Sequence, residues 1–373
     1  MDEQCAYLIL LRAPALSGAQ LFELLTQHGS AVALLKAGPT AWRGQLAPTT
    51  CEFLAAAQVE LVDADRRWLD ADGHHLVTLN DSTYPALLKQ LPDPPAGLFV
   101  SGNPLLLGTP QLAVVGSRNP TPYGRQNAEA FARHLSGCGL TITSGLAAGI
   151  DAAGHRGALQ SNEGFTVAVC GTGLDSVYPR SSEALAREIE QRGALVSEYP
   201  PGTPPRKHHF PRRNRLISGL SLGTIIVEAT LGSGSLITAR LAADQGREVF
   251  AIPGSIHNPM SKGCHQLIRQ GAKLVDSAED ILCELGPLAA TLRNHSPSQP
   301  EAVDSASISQ DRLDKDYKIL LDALGFEPVG VDQLVARSGF RADSVASMLL
   351  MLELDGRVES HPGGLYFRAG PPI

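Results

Sequence analysis

Basic side chains are concentrated in residues 206–215 of this chain, whose sequence is RKHHFPRRNR. The segment holds five cationic side chains and one phenylalanine but no carboxylate, although the whole chain has 31 Lys and Arg against 38 Asp and Glu and a formal charge of −7. Guanidinium groups bind phosphates, and an aromatic ring stacks on a base. The segment therefore predicts a local anion site that suits a polyanion such as nucleic acid. Its cations are Arg206, Lys207, Arg212, Arg213 and Arg215.

Four glycine-rich turns supply further candidate phosphate contacts. Each turn follows an apolar strand pattern or opens a helix pattern, where unpaired backbone N–H groups favour an anion. One such turn would equally suit tight packing, but four turns at one sheet edge, together with Arg118 and the basic segment, favour an anion site. The turns are VVGSR at 114–118, SGLAAGID at 144–151, GTGLDSVYP at 171–179 and GSGSLITA at 232–239.

The motifs of several other chemistries are missing from the sequence. There is no GxxxxGK[ST] loop and no GxGxxG fingerprint, which disfavours P-loop ATP hydrolysis and NAD binding. No HExxH or CxxC spacing indicates a metal, and no nucleophile–base–orienter set is evident. Asp151 and Asp175 are possible general bases, although an Asp after a glycine loop more often caps a helix or turn. We therefore expect no cofactor, no metal and no catalytic residue.

Composition indicates a folded protein of two or three domains. Of its 373 residues 43% are hydrophobic and 18% charged, which is enough apolar material for a core and argues against global disorder. The six cysteines are scattered, as expected for small buried hydrophobes in a reducing cytosol. The first 20 residues do not resemble a signal peptide, and no apolar run reaches membrane-spanning length. We expect a soluble, cytoplasmic protein that does not bind membranes.

The first 72 residues are predicted to form a small helical domain. Helical patterns cover 6–11, 17–28, 31–36 and 52–61, with a further turn near 64–69, separated by Pro and Gly. Such a bundle is either a nucleic-acid module of the SAM or helix-hairpin-helix kind or a capping and docking domain, and both readings stay open.

Residues 73–286 are predicted to form a doubly wound, mostly parallel Rossmann-like α/β domain. A Pro-rich approach at 74–110 contains two short strands and a helical turn, and continuous apolar strands then alternate with amphipathic helices, which indicates a parallel sheet covered on both faces. A ligand should bind outside the carboxyl ends of the strands. The predicted strands are 112–115, 140–143, 166–169, 194–197, 222–227 and 247–251, with a seventh left open at 273–275, and the helices are 124–138, 150–160, 181–192, 213–220, 235–245 and 263–270.

The C-terminal part is predicted to be a linker at 287–312 and a winged-helix domain at 313–373. Three helical patterns and a Pro-Gly-Gly hairpin make the winged-helix outline. Residues 301–373 contain 12 acidic and only seven basic side chains, so the domain is poorly equipped to neutralise phosphates. Protein docking or autoregulation is favoured over reading of a DNA groove.

Seven motifs in order closely resemble the DNA-processing protein A (DprA/Smf) family of bacteria. The resemblance is dense over about residues 75–285, and the flanking domains fit the three-part layout of that family. The motifs are GSR at 116–118, SGLAAGID at 144–151, GTGLDSVYP at 171–179, FPRRNRLISG at 210–219, VEATLGSGSLITA at 227–239, REVFAIPG at 247–254 and GCHQLIRQGA at 263–272.

The resemblance implies a protein that binds single-stranded DNA, protects incoming DNA and helps to load a RecA-type recombinase in natural transformation and recombination. It also implies a homodimer formed through the α/β domain, with no established catalytic reaction. Carried over by motif position, the DNA-contacting residues are Gly116, Ser117 and Arg118, then Ser144, Gly145 and Gly149, then Gly171 and Gly173, then Phe210, Arg213, Asn214 and Arg215, and finally Ser233, Ser235 and Thr238.

We expect a DNA strand along the carboxyl edge of the sheet, with Arg118 and Arg213 holding phosphates. Arg215 either joins them or braces its loop, and Phe210 either stacks on a base or braces the loop from the core. The alternative is a Rossmann-like nucleotide-hydrolysing enzyme of the lysine-decarboxylase-like group, whose loop carries a catalytic Glu. That alternative is weakened because the helix opened by GSGSLITA has no carboxylate before Asp244.

Overall fold

The structure is a computed structural model, which describes residues 1–57, 59–293, 315–325, 328–354, 356–361 and 363–368. The chain divides into two compact units, one of residues 1–120 and 128–297 and the other of residues 121–127 and 298–373. Within the described ranges, no helix is both long and apolar enough to span a membrane.

The first unit begins with five short helices. Ser17 and Gln20 form a reciprocal capping box at the start of α2, and Gly29 ends that helix in the left-handed conformation. The helices bury a core of their own that also includes Phe99 of the sheet. They are α1 (Glu3–Arg12), α2 (Gly18–His28), α3 (Ala31–Trp42), α4 (Pro48–Ala56) and α5 (Asp63–Leu69).

Polar contacts join these helices to the rest of the unit. The guanidinium of Arg12 donates two hydrogen bonds of 2.6 Å to the fully buried carboxylate of Asp65. The same group donates to the carbonyl oxygen of Pro201 at 3.1 Å. The Tyr7 hydroxyl donates to the carbonyl oxygen of Ala96 at 2.7 Å. The helical region is therefore packed and hydrogen-bonded onto the α/β part of the same unit.

A nine-stranded sheet of order β1-β2-β6-β5-β4-β3-β7-β8-β9 forms the centre of the first unit. Seven strands of this sheet, β3 to β9, run parallel to one another. The other two are antiparallel to their neighbours: β2 to β6, and β1 to β2. The strands are β1 (His74–Thr78), β2 (Gly97–Gly102), β3 (Gln111–Val115), β4 (Thr141–Ser144), β5 (Thr166–Cys170), β6 (Ala194–Ser197), β7 (Gly223–Ile226), β8 (Glu248–Ala251) and β9 (Lys273–Leu274).

The connections between these strands are helical. Strand β3 is buried at every position, as expected for a central strand with helices on both faces. The helices are α6 (Ala86–Lys89), α7 (Pro122–Gly137), α8 (Ile150–Gln160), α9 (Glu183–Arg192), α10 (His209–Leu220), α11 (Ser235–Asp244), α12 (Lys262–Arg269) and α13 (Ala278–Arg293).

The strand order reverses at β3. The chain proceeds from β3 through β4 and β5 to β6 on one side, and it then returns to place β7 on the other side of β3. Such a switch point leaves a crevice outside the carboxyl ends of the two strands, where open α/β sheets bind ligands. The turns after β3, β4, β5 and β7 all lie at this edge.

The fold class predicted from the sequence is confirmed, and α8 and β6 have the predicted bounds. The helix predicted at 52–61 is present with different bounds: α4 begins earlier, because Pro48 fits the first turn of a helix, and it ends at Ala56. The predicted linker also starts too early, since α13 continues to Arg293. Residues 294–314, which include the rest of that predicted linker, lie outside the described residues.

In its described residues, the second unit has a winged-helix arrangement, the fold predicted for the C-terminal domain. Its three strands form an antiparallel sheet of order β10-β12-β11, and its helices bury a small apolar core around Leu320, Leu334 and Leu349. The elements are α14 (Lys315–Leu324), β10 (Val329–Gly330), α15 (Val331–Ser338), α16 (Ala342–Leu354), β11 (Val358–His361) and β12 (Leu365–Arg368).

Candidate nucleic-acid interface

The turns after β3 and β4 are in direct contact. The backbone N–H of Ile150 donates to the carbonyl oxygen of Ser117 at 3.0 Å. Gly149 has a φ of +85°, and a Cβ there would lie 2.3 Å from the Ser117 carbonyl oxygen, so only glycine fits. The contact joins the GSR turn to the start of α8. At this edge of the sheet Gly116, Ser117 and Gly149 are half-buried, and Arg118 is exposed.

Arg213 lies inside the protein beneath these turns. Its side chain projects from α10, the residue is only 4% exposed, and Nη1 donates to the carbonyl oxygens of Gly145 and Val169. Asp151 on α8 accepts a hydrogen bond from the N–H of Gly145 at 3.2 Å. The backbone of Gly145 is therefore held at both its N–H and its carbonyl oxygen. Arg213 organises the turns after β4 and β5, which corrects the expectation that it holds a phosphate at the surface.

Burial controls the ionisation of this cluster. It raises the pKa of Asp151 to about 6, although Arg213, Arg118 and two backbone N–H groups favour the carboxylate. Burial also lowers the pKa of His155 to about 3, so this neighbouring imidazole is neutral at pH 7. Its Nδ1 lies 2.7 Å from the Thr166 hydroxyl. The positive charge of Arg213 thus faces a carboxylate that titrates near pH 6.

Ser144 is also unavailable to a ligand. It is fully buried at the end of β4, and its hydroxyl donates to the carbonyl oxygen of Val114 on β3 at 2.6 Å. The hydroxyl satisfies a backbone acceptor next to the sheet ladder. The predicted DNA contact from the Ser144 side chain is therefore corrected to a structural bond.

Arg215 and Arg212 are paired with carboxylates from elsewhere in the chain. Arg215 forms an ion pair with Glu198 and donates to the carbonyl oxygen of Asp93 at 2.7 Å. Arg212 lies 3.5 Å from the other oxygen of Glu198 and 3.9 Å from the carboxylate of Asp93. Of the two roles considered for Arg215, the structure favours bracing, because its guanidinium is committed within the protein.

The turn after β5 is tied to the segment that leads into α10. His209 is buried, and its Nδ1 donates to the carbonyl oxygen of Gly171 at 3.0 Å. The N–H of Gly173 donates to the carbonyl oxygen of Thr203 at 3.0 Å. The carboxylate of Asp175 accepts from the N–H of Gly202 at 2.7 Å. The amide of Gly173 is thus already satisfied. Asp175 caps a turn, in agreement with the simpler of its two readings.

Of the three hydroxyl side chains predicted to contact DNA in the turn after β7, two are buried. Ser235 and Thr238 are buried in the first turns of α11. Ser233 is half-buried, and its hydroxyl lies 2.7 Å from that of Ser235. Ser233 is therefore the accessible hydroxyl of this group.

Three exposed cations of the edge are Arg118, Arg206 and Lys207. All three are exposed, and no carboxylate of the described residues forms an ion pair with any of them. Phe210 and Asn214 are half-buried in the first turns of α10. Arg206 and Lys207 were counted in the basic segment but not among the predicted contact residues. Their position before the start of α10 could have indicated that their side chains are exposed, because residues outside the helix do not pack into the core.

The described residues contain no group of three or more His, Cys, Asp or Glu side chains arranged to hold a metal. What the edge presents is exposed positive charge, a partly exposed aromatic ring and backbone turns held in place by buried hydrogen bonds. This combination is suited to an extended chain of phosphates and bases.

Family models and sequence relatives match most of the chain. The family model of the DNA recombination-mediator protein A matches residues 75–286, and that of the DprA winged helix domain matches residues 304–364. Protein Smf of Escherichia coli is 43% identical over 340 residues, which cover 90% of this chain and 87% of that protein. DNA processing protein DprA of Streptococcus pneumoniae is 50% identical over 204 residues, 55% of this chain and 72% of that protein.

Solved structures agree with the sequence comparison. The X-ray structure of DNA processing protein A from Streptococcus pneumoniae superposes with a TM-score of 0.66 at 38% identity, covering 76% of this chain and 99% of that one. DNA processing protein A from Helicobacter pylori, described for its single-stranded DNA binding mode, superposes with a TM-score of 0.52 at 34% identity, covering 57% and 96%. By both sequence and fold, this chain belongs to the DNA recombination-mediator protein A family.

Proposed function

We propose that this protein binds single-stranded DNA along the carboxyl edge of its sheet and acts as a recombination mediator. The observation that carries the proposal is the placement of Arg118, Arg206 and Lys207, exposed at one edge of a chain whose net charge is −7. Such local charge attracts a polyanion despite the negative total. The single-stranded DNA binding mode described for the Helicobacter pylori relative supports the same ligand class here.

The exposed and buried residues have different roles in this proposal. Arg118 and Lys207 contact phosphates, with Arg206 beside them, and Phe210 offers part of its ring to a base. Arg213 and Asp151 position the turns without touching DNA. Ser117, Gly149, Asn214 and Ser233, which are half-buried, remain proposed contacts, while Gly116 shapes the first turn.

Single strands are preferred over duplex for a physical reason. The bases of a single strand are unpaired and can turn toward the rim, whereas in a duplex they are stacked and paired. The proposed role is binding without catalysis, because Asp151 and Asp175, the two candidate general bases, both accept hydrogen bonds from the backbone of the turns.

Two partners follow from this role. A recombination mediator delivers its bound strand to a RecA-type recombinase, and pairing of two protein copies would place two DNA sites on one strand and raise avidity. We propose both partners, in the setting of natural transformation, and the name DNA processing protein DprA, which the pneumococcal and Bacillus subtilis relatives carry, fits that setting.

The test of DNA binding is fluorescence anisotropy with labelled oligo-dT across a salt series. We expect Arg118→Ala and Lys207→Ala each to weaken binding and each to reduce the slope of log affinity against log salt, by about 0.7 per phosphate lost. Arg187→Ala is the control, since Arg187 is 73% exposed on α9 and forms an ion pair with Glu183 of the same helix. Unchanged affinity in both test variants would overturn the site assignment.

A further inference from the structure

An exposed tyrosine lies beside Phe210 in the turn after β5. Tyr178 is 50% exposed, although large apolar rings are usually covered. Its ring centroid is 5.4 Å from that of Phe210, and the two ring planes are inclined by 41°. The pair forms a continuous aromatic surface, with Tyr178 supplying the more accessible ring.

This surface is held by the regular elements below it. The ring of Phe210 packs against Gly171, where an added Cβ would come within 3.1 Å of Phe210 Cδ1. The next residue back, His209, is bonded to the Gly171 carbonyl oxygen and stacks on Tyr199 with ring centroids 4.1 Å apart. The end of β5 and the start of α10 therefore fix Phe210. A ring fixed in this way costs little additional side-chain entropy when a ligand stacks on it.

Positive charge is present on both chain segments that carry the two rings. Arg180 is exposed two residues after Tyr178, and Lys207 is exposed three residues before Phe210. A nucleotide carries a flat apolar base and an anionic phosphate, so a ring surface with flanking cations matches both parts of it.

We propose that Tyr178 is a base-stacking residue and that Tyr178 and Phe210 together form the platform for an unstacked base. The proposal rests on the proposed function, because it names a base contact within that site. Stacking on a ring does not depend on base identity, since every base has a π-face. The platform therefore adds affinity for a strand without adding sequence preference.

The experiment separates base contacts from phosphate contacts. Binding of labelled oligo-dT is compared with binding of an oligonucleotide of equal length whose internal residues are abasic and which keeps the same phosphates. The variants are Tyr178→Ala and Tyr178→Phe. Phe22→Ala is the matched control, because Phe22 is 45% exposed on α2 in the helical region.

We expect Tyr178→Ala to weaken oligo-dT binding about tenfold, equivalent to about 1.4 kcal/mol, and to leave abasic binding unchanged. Tyr178→Phe, which keeps the ring, should restore oligo-dT affinity, and Phe22→Ala should alter neither ligand. Where the alanine variant loses its fold by circular dichroism, Tyr178→Leu takes its place with the same expectation.

An equal loss for both oligonucleotides, or no loss for either, would overturn the platform. That result differs from failure of the proposed function. If the unmodified protein binds neither oligonucleotide, or if Arg118→Ala and Lys207→Ala bind both as well as the unmodified protein does, the DNA site itself is wrong and the platform is rejected with it.

Discussion

Nη1 of Arg213 lies 2.7 Å from the carbonyl oxygen of Gly145, while the N–H of that same residue donates to Asp151 at 3.2 Å. An aspartate of α8 and an arginine of α10 thus hold the backbone of one residue, the aspartate at its N–H and the arginine at its carbonyl oxygen. Because this residue begins the turn after β4, the pair sets the shape of the proposed DNA-binding edge from below. The arrangement explains how a buried charge can serve a surface site.

Arg213→Met is expected to destabilise the protein by about 1–3 kcal/mol, the usual cost of leaving buried polar groups without their hydrogen-bond partner. The loss arises because the buried carbonyl oxygens of Gly145 and Val169 lose their donor, and the favourable charge interaction with Asp151 is removed with it. Thermal unfolding measures it. Adding Asp151→Asn to Arg213→Met should cost less than the sum of the two single changes, and strict additivity would mean that the two residues are not coupled.

Gly145→Ala is expected to destabilise the protein because a Cβ there would lie 2.2 Å from Nη1 of Arg213. Either the guanidinium or the turn must move, at a cost of about 1–3 kcal/mol. Gly232→Ala is the control, since a Cβ at Gly232 meets nothing within 4 Å and this glycine has no positive φ. Equal unfolding temperatures for the two variants would contradict the close approach seen at Gly145.

The stability of the protein should carry a pH signature from Asp151. Its pKa is raised from 3.8 to about 6 in the folded state, chiefly by burial, so folding favours the protonated form. The contribution of this group is therefore complete below about pH 4 and is lost as the pH rises through 6. The loss is on the order of 1–3 kcal/mol.

Asp151→Asn removes this titration. Relative to that variant, the unmodified protein should become less stable between pH 4.5 and 7.5, as measured by the difference between the two unfolding temperatures at each pH. The titration of His155 is present in both proteins and largely cancels. A difference that stays constant over this interval would show that Asp151 does not titrate there.

Arg215 and Lys207 should separate stability from DNA binding. Arg215→Ala leaves Glu198 without its short ion pair and should lower the unfolding temperature with little change in the salt dependence of oligonucleotide binding. Lys207→Ala should reduce the salt dependence of oligonucleotide binding and leave the unfolding temperature nearly unchanged, because Lys207 is exposed and makes no ion pair among the described residues. If Arg215→Ala flattens the salt dependence as much as Lys207→Ala does, Arg215 contacts a phosphate after all.

The layered fold was predictable from the sequence because its signals are local. Continuous apolar strands such as Val114-Val115 and the glycine turns that follow them indicate a parallel sheet and its ligand edge without knowledge of long-range contacts. The joining of β1 and β2 to that sheet in antiparallel fashion was not predicted, since strand pairing depends on partners distant in sequence.

Which arginine side chains are buried or paired with carboxylates, and which stay exposed, was less predictable. The basic segment has no carboxylate of its own, yet folding brings Glu198 and Asp93 to Arg215 and Arg212, and Asp151 to Arg213. One local signal was available. The helix predicted at 213–220 begins at His209 in the structure. With that earlier start, the spacing of four residues would have placed Arg213 on the same inward face as His209.

The shared core around Phe99 and the bond from Arg12 to Pro201 have a consequence for how the molecule can be divided. Cutting the chain after residue 72 would uncover Phe99 and Leu76 to solvent and would leave the Pro201 carbonyl without this donor. The Pro200–Gly202 segment would then lose one of its tethers, just upstream of Lys207. A trimmed protein should therefore aggregate more readily and hold DNA more loosely, even though every proposed contact residue would still be present.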